Sequence, residues 1–188
     1  MKFAPEGYPY FALFIGLTAG AYLLGNVWIA LIPFSLFLFM LFFFRDPDRI
    51  PPAGDNLFVA PADGKVIVIQ SIREQRYLND DVIMVSIFMS PLDVHVNRVP
   101  CDGTVESVQH NAGKFLQAFL PEASLVIENL ALVFATRMGR IVITQVAGAV
   151  ARRCVCRVCP GDFLKKGDRY GMIKFSSRVD IYLPVDTE

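Results

Sequence analysis

The sequence predicts a mainly β domain, compact and sandwich-like or barrel-like, preceded by an N-terminal hydrophobic helical hairpin. Hydrophobic residues make up 54% of the 188 residues, and the excess is concentrated before residue 45. From Leu57 onward, short apolar and β-branched runs alternate with turns that contain Gly or Pro, a spacing typical of sandwiches and barrels. We therefore divide the chain into a hairpin, 1–44, a charged and Pro-rich exit segment, 45–56, and a β-rich domain, 57–188.

The hairpin has no charged residue from Tyr8 to Phe44 and is interrupted by turn residues at Gly25-Asn26. Two helices are predicted, Tyr8–Leu24 and Val27–Phe44. Each is near the lower limit of the roughly 17–25 residues that a membrane helix needs. Lys2 before the hairpin, and Arg45 and Arg49 after it, predict that both ends and the following domain face the cytoplasm at the cell membrane. The alternative is a hairpin that enters one leaflet without crossing.

The β-rich domain is predicted to contain short strands and one short helix. The strands are predicted at Leu57–Ala60, Val66–Ile69, Val82–Met89, Val94–Val99, Thr104–His110, Ile141–Val146, Arg152–Val158 and Met172–Phe175. The helix is predicted near Gly113–Phe119, ending before Pro121.

Charge and cysteine content exclude some classes of function. The net charge is zero, so the composition does not indicate a nucleic-acid partner. The run Cys154-Val-Cys156-Arg-Val-Cys159 follows strand alternation, and both histidines are distant in sequence. We interpret the cysteines as small apolar residues in a reduced compartment, and we predict no metal site.

Two adjacent serines, Ser176 and Ser177, lie between strand-like segments near the C-terminus, where Val179, Ile181 and Leu183 alternate with polar residues. The ordinary explanation is a bulge or a tight bend. A serine hydroxyl can also attack the carbonyl of the preceding residue, convert the amide into an ester and then eliminate. That reaction cuts the chain and leaves a pyruvoyl group on the new N-terminus.

Alternation in Ser90–Arg98 places Asp93, His95 and Asn97 on one face of a strand. A histidine with polar neighbours on its own face suits a general base, although a structural role is equally compatible. Asp63 lies in a turn, Ala62-Asp63-Gly64. It gains a catalytic role only if the fold brings it to His95, because a carboxylate that orients imidazole supports a nucleophilic serine.

Five motifs occur in the order and spacing found in phosphatidylserine decarboxylases. They are Phe43–Pro47, Pro61–Lys65, Ser90–Arg98, Gly113–Phe115 and Gly171–Asp180. From the hairpin to its last residue, the chain resembles this family and most closely its short, archaeal-type branch.

The resemblance implies a self-processing, pyruvoyl-dependent enzyme that decarboxylates phosphatidylserine to phosphatidylethanolamine. The β chain would end at Ser176, and Ser177 would become the pyruvoyl group that forms a Schiff base with the substrate. Asp63 and His95 would assist cleavage, and His95 would also serve in decarboxylation. The implied partners are a membrane phospholipid, the bilayer and the two chains of a β/α heterodimer. Candidates to hold the phosphate are Lys114, Arg98, Arg152, Arg153 and Arg178.

The sequence departs from the family pattern in three places. The residue before the processed serine is usually Gly, whereas here it is Ser176, and we expect slower cleavage rather than none. Arg98 stands where long-branch members have a second histidine, so His95 is expected to perform both tasks. The sequence stops at Glu188, before a hairpin that family members usually have, so a truncated chain is expected.

Two other classes of function remain open at the sequence level. A membrane-anchored serine hydrolase would use Ser177, His95 and Asp63 without cutting the chain, although no G-x-S-x-G nucleophile elbow is present. A non-catalytic carrier or interaction domain would explain the turn-rich segment Pro160–Asp168 and would leave His95 without a role.

Overall fold

The computed structural model describes residues 2–111, 129–148, 153–175 and 177–187. The chain divides into two compact units, one ending at Asp48 and the other starting at Arg49. This division falls inside the predicted exit segment, 45–56.

The first unit contains the predicted pair of helices. Its elements are strand β1, Lys2–Phe3, a 3-10 helix, Pro5–Gly7, helices α1, Tyr8–Leu23, and α2, Val27–Phe43, and strand β2, Arg45–Asp46, which pairs with β1. Gly25 has a positive φ of 79°, and the Asn26 side chain accepts a hydrogen bond from the Ile29 N–H at 3.1 Å. The predicted turn therefore also caps the start of α2.

Both helices expose apolar side chains. Helix α1 has no buried residue, and α2 buries Ala30, Met40 and Phe43. Among the described residues, no helix combines the length and the apolar character that crossing a membrane requires.

The second unit is built from two antiparallel sheets. Its strands are β3, Lys65–Glu74, β4, Asp80–Met89, β5, Val96–Arg98, β6, Gly103–Asn111, β7, Asn129–Thr136, β8, Gly139–Ala147, β9, Cys154–Cys156, β10, Phe163–Leu164, β11, Arg169–Ile173, and β12, Ser177–Pro184. The order is β10-β6-β7-β8-β12-β4-β3 in the seven-stranded sheet and β5-β11-β9 in the three-stranded sheet.

The main core lies between these two sheets. Met89, Ile143 and Val179 from the large sheet pack in one cluster with Tyr170 and Ile173 from the small sheet. This packing confirms the mainly β, sandwich-like prediction. In the described residues, the large sheet ends on β10 and β3 and does not close into a barrel.

Most strand predictions locate a strand, but the one at 57–60 is wrong, and β7 and the two-residue strands β1, β2 and β10 were not predicted. Residues 57–60 are irregular, although the Val59 N–H donates to Pro100 O at 2.9 Å. The first six residues of β7 are all buried, so its sequence lacks the alternation that marks a strand with one exposed face.

Several strand predictions differ from the observed strands at their boundaries. The Met172–Phe175 strand ends at Ile173, because Phe175 adopts a positive φ that a strand does not accommodate. The Arg152–Val158 prediction corresponds to β9, and Arg152 itself lies outside the described residues. The helix predicted near Gly113–Phe119 also lies outside them.

Candidate active site

Ser177 is the first residue of β12, and its side chain is completely buried. It pairs with Met89 of β4 on one side and with Ala147 of β8 on the other. The Ser177 hydroxyl lies 3.6 Å from the Sδ atom of Met89, which is only a weak acceptor. The predicted nucleophile is therefore held on a central strand in largely apolar surroundings.

His95 is also completely buried, and its backbone is hydrogen-bonded to β11, the strand that precedes Ser177 in the chain. The carbonyl oxygen of His95 accepts a hydrogen bond from the N–H of Ile173, the last residue of β11, at 3.3 Å. Its ring Nδ1 lies 2.9 Å from the carbonyl oxygen of Asp93. Because a carbonyl only accepts, Nδ1 carries the hydrogen and the lone pair of the neutral ring is on Nε2. The fold thus fixes the tautomer that a general base requires.

The alternation predicts Asp93 and His95 on one strand face, but Asp93 lies in a bend before β5. Its Oδ2 atom accepts hydrogen bonds from both the N–H and the hydroxyl of Ser90, at 2.8 and 2.7 Å. Asp93 therefore closes the turn after β4, and only its carbonyl orients the imidazole.

A buried pair of amide side chains lies beside Ser177. Gln145 Nε2 donates to Asn97 Oδ1 at 2.8 Å, and Asn97 Nδ2 lies 3.7 Å from the same Met89 sulfur that Ser177 contacts. Both amide residues are fully buried. Sequence reasoning placed Asn97 on the face of His95 but did not single out Gln145. The available signal was a glutamine within the otherwise apolar run Ile141–Val146.

Phe175 has a φ of 61°, in the left-handed region. This conformation is uncommon for an aromatic residue and costs roughly 1–3 kcal/mol, and such backbone strain is concentrated at functional sites. Ser176, the next residue, lies outside the described residues. The backbone is thus strained directly before the predicted cleavage junction.

Asp63 lies at the same end of the large sheet as Ser177. Lys65 of β3 pairs with Phe88 of β4, so the Asp63 turn is level with the end of β4 that contacts Ser177. Two strand spacings, about 10 Å, separate β3 from β12. Gly64 has a φ of 145°, and a Cβ atom there would clash with the carbonyl of Phe88, so only Gly permits this close approach.

The carboxylate of Asp63 forms an ion pair with Arg49. Asp63 also lines a cavity of about 210 Å³ together with Val94, Val96 and Arg98, the residues that alternate with His95. The structure therefore brings Asp63 near the site but pairs it with Arg49, which sequence reasoning had not singled out as a site residue. Support of His95 by Asp63 stays a prediction.

The basic residues predicted to hold a phosphate have different surroundings. Arg98 donates from Nη1 to Gly167 O at 2.8 Å, and Arg153 is exposed. Arg178 is buried, with Nη2 donating to Asp180 Oδ2 at 2.9 Å and Nε 2.9 Å from Oδ1. Lys114 and Arg152 lie outside the described residues. Phosphate binding by any of the five stays a prediction.

Comparison with known proteins connects this geometry to a family. The family model for phosphatidylserine decarboxylase matches residues 36–188, which include Asp63, His95 and Ser177. The chain belongs to the phosphatidylserine decarboxylase family. The predicted placement in the archaeal-type branch of that family stays a prediction.

Several relatives match nearly the whole chain, and each is named phosphatidylserine decarboxylase proenzyme. The protein of Magnetococcus marinus is 42% identical over 98% of this chain and 86% of its own length. The protein of Syntrophotalea carbinolica is 45% identical over 98% of this chain and 87% of its own length. The protein of Carboxydothermus hydrogenoformans is 43% identical over 97% of this chain and 85% of its own length. The similarity therefore spans both structural units.

Proposed function

We propose that the protein is a proenzyme that cuts itself between Ser176 and Ser177 and then decarboxylates phosphatidylserine to phosphatidylethanolamine. Membership of the phosphatidylserine decarboxylase family supports the reaction. The residue assignment depends on two observations. Ser177 is buried at the start of the central strand β12, and His95, whose tautomer is fixed, is hydrogen-bonded to the end of β11, shortly before Ser177.

Self-cleavage starts with the transfer of a proton from the Ser177 hydroxyl to His95 Nε2. The Ser177 oxygen attacks the Ser176 carbonyl, the Ser177 nitrogen takes the proton from His95, and the bond from that carbonyl to the nitrogen breaks to leave an ester and a free amine. Loss of the Ser177 α-hydrogen then expels the Ser176 carboxylate and leaves a carbon–carbon double bond at residue 177. Water replaces the nitrogen of residue 177, which departs as ammonia, and a pyruvoyl group remains. The strained Phe175 backbone favours a reaction that releases the chain at this point.

The surroundings of residue 177 fit a pyruvoyl group. A pyruvoyl group is uncharged and slightly smaller than a serine residue with a free amine. Ser177 contacts the Met89 thioether, and the amides of Asn97 and Gln145 lie next to that thioether, so these neighbours are uncharged too. A pyruvoyl carbonyl supplies an electron sink for the substrate carbon that loses CO2. His95 then delivers a proton to that carbon.

Strand β12 holds the short C-terminal piece in place after cleavage. It pairs with β4 from Ser177 to Pro184 and with β8 from Ser177 to Tyr182. Because the strand is bonded on both sides, the two pieces remain one folded unit, as a β/α heterodimer.

We propose that the helix pair binds the cell membrane and that the enzyme faces the cytoplasm. The turn between the helices carries large exposed apolar side chains, among them Leu24 at 87% and Trp28 at 81% exposure. Burial of such side chains in lipid is favourable, and the acyl chains of the substrate then stay in the bilayer while its headgroup reaches Ser177.

The proposal is tested with purified protein and phosphatidylserine labelled in the serine carboxyl carbon. We expect release of labelled CO2 by the wild type and none by Ser177→Ala, because that variant cannot form the carbonyl. Asn26→Ser, at the helix turn, is the matched control and should retain activity. Hydrolysis of an ester substrate by an uncut wild-type chain, without CO2 release, would instead identify a serine hydrolase.

A further inference from the structure

Gln145 carries an unsatisfied acceptor in the core of the protein. Its Oε1 atom is buried and has no hydrogen-bond partner in the part of the chain that the structure describes. An unpaired buried amide oxygen costs roughly 1–3 kcal/mol. A ligand with an N–H or O–H donor would remove that cost.

The strand register brings Gln145 close to Ser177. Gln145 pairs with Val179 of β12, and Ala147, two residues further along β8, pairs with Ser177. Gln145 and Ser177 therefore point to the same face of the sheet as diagonal neighbours, about 7–8 Å apart, within reach of a long side chain. The Gln145 side chain extends from this face toward Gly171 of β11. The two are so close that a Cβ atom added to Gly171 would lie 3.1 Å from Gln145 Nε2.

The hydrogen-bond pattern fixes which amide atom of Gln145 is available. Its Nε2 is used by Asn97 Oδ1, and the Asn97 amide nitrogen faces the Met89 sulfur. Rotating both amides would place Asn97 Oδ1 against a thioether, which has no hydrogen to donate. The pair therefore presents an acceptor, Gln145 Oε1, beside the residue that forms the reactive carbonyl.

We propose that Gln145 Oε1 binds the amine of the substrate's serine headgroup, and that Asn97 is a positioning residue that holds the Gln145 amide. The inference rests on the proposed function, which requires this amine to meet the carbonyl formed from Ser177. An amide oxygen is a neutral acceptor. It orients the amine without the negative charge that would favour the unreactive ammonium form.

The test is reductive trapping of the substrate amine by cyanoborohydride, followed by intact mass measurement of the C-terminal piece. The proteins compared are the wild type, Gln145→Met and Gln145→Glu. Thr144→Val is the matched control, because Thr144 is the adjacent buried polar residue of β8 and points to the opposite face. The extent of chain cutting is recorded for each protein.

We expect Gln145→Met to be cut like the wild type but to need about tenfold more phosphatidylserine for half-maximal trapping, which corresponds to the loss of one strong hydrogen bond. Thr144→Val should trap at wild-type concentrations. Trapping by Gln145→Met at wild-type concentrations would overturn the proposal.

Gln145→Glu decides the question if Gln145→Met does not fold or is not cut. This variant keeps the acceptor and the length of the side chain but loses the donor to Asn97. We expect half-maximal trapping at or below the wild-type phosphatidylserine concentration but at a slower rate, because the carboxylate binds the amine and also favours its unreactive ammonium form. A rise in that concentration as large as the one expected for Met would assign Gln145 a structural role and overturn the proposal. A wild type that is cut but traps no amine would contradict the proposed function itself.

Discussion

His95 combines two properties that a general base needs, a fixed tautomer and a buried position on the chain segment next to β11. Its Nδ1 hydrogen is held by Asp93 O, so the lone pair of the ring is on Nε2, the atom that we propose accepts the Ser177 proton. Sequence alternation predicted the face on which His95 and Asn97 lie. It could not predict that a backbone carbonyl orients the ring, because that contact depends on how the turn at Ser90 closes.

Replacement of His95 by Ala should therefore slow self-cleavage by about 10²–10⁴-fold, the usual contribution of a positioned general base. The measurement is the fraction of cut chain against time by denaturing gel electrophoresis. His110→Ala is the matched control, because His110 is exposed in β6 and should be cut at the wild-type rate. Equal cleavage rates in both variants would remove His95 from the mechanism.

Cys101 should be unreactive although it is a free thiol. Burial, above all, raises its pKa to about 11, so at about pH 8 almost none of it is the nucleophilic thiolate. Peptide mapping after treatment with iodoacetamide should show labelling of the exposed Cys159 and little of Cys101. Labelling of Cys101 should rise as the pH approaches its pKa, and equal labelling of both at about pH 8 would contradict this assignment.

Strand β12 has different chemistry on its two faces. Ser177, Val179 and Ile181 face the main core, whereas Arg178 and Asp180 form a buried ion pair on the other face. Desolvation raises the pKa of Asp180, and the charge of Arg178 opposes this only in part. The part of the stability that depends on protonation of Asp180 is therefore present below its usual pKa and is lost as the pH rises through its raised, folded-state pKa. Above that pKa, the carboxylate is still the ion-pair partner of the buried Arg178.

Asp180→Asn should lower the free energy of unfolding at neutral pH by about 3–5 kcal/mol, because Arg178 remains buried without its carboxylate. The double replacement Arg178→Met with Asp180→Leu should recover most of this loss, since it removes both desolvation costs. Urea unfolding at equilibrium measures the three values. A double variant no more stable than Asp180→Asn would show that the ion pair itself stabilises β12.

Some helices and strands were predicted from the sequence and others were not. Strands β4 and β8 were predicted from β-branched runs bounded by turns, and the hairpin from Gly25-Asn26. The strand β7 was not predicted because it is apolar on both faces, and the Leu57–Ala60 strand was predicted although only an isolated hydrogen bond forms there. Periodicity reports local burial, whereas strand pairing depends on residues far apart in the sequence.

In the whole molecule, we propose that the helix pair binds the membrane and that the β-rich domain carries the active site. Replacing Leu24 and Trp28 with Lys should reduce the fraction of protein that floats with liposomes, because each Lys costs roughly 2–3 kcal/mol in the apolar layer. Ile69→Lys, at an exposed apolar position of β3, is the control and should float like the wild type. Unchanged flotation of the double variant would exclude this turn as the membrane contact.

The proposed function requires the chain to cut itself at one bond and to convert Ser177 into a pyruvoyl group. Its most direct test is intact mass measurement of the purified protein, taken after native size exclusion and again after denaturation. We predict a single native peak that contains two pieces. One ends at Ser176, and the other is lighter by one ammonia than a peptide starting with an unmodified Ser177. An uncut chain, or a C-terminal piece that retains the mass of serine, would contradict the account.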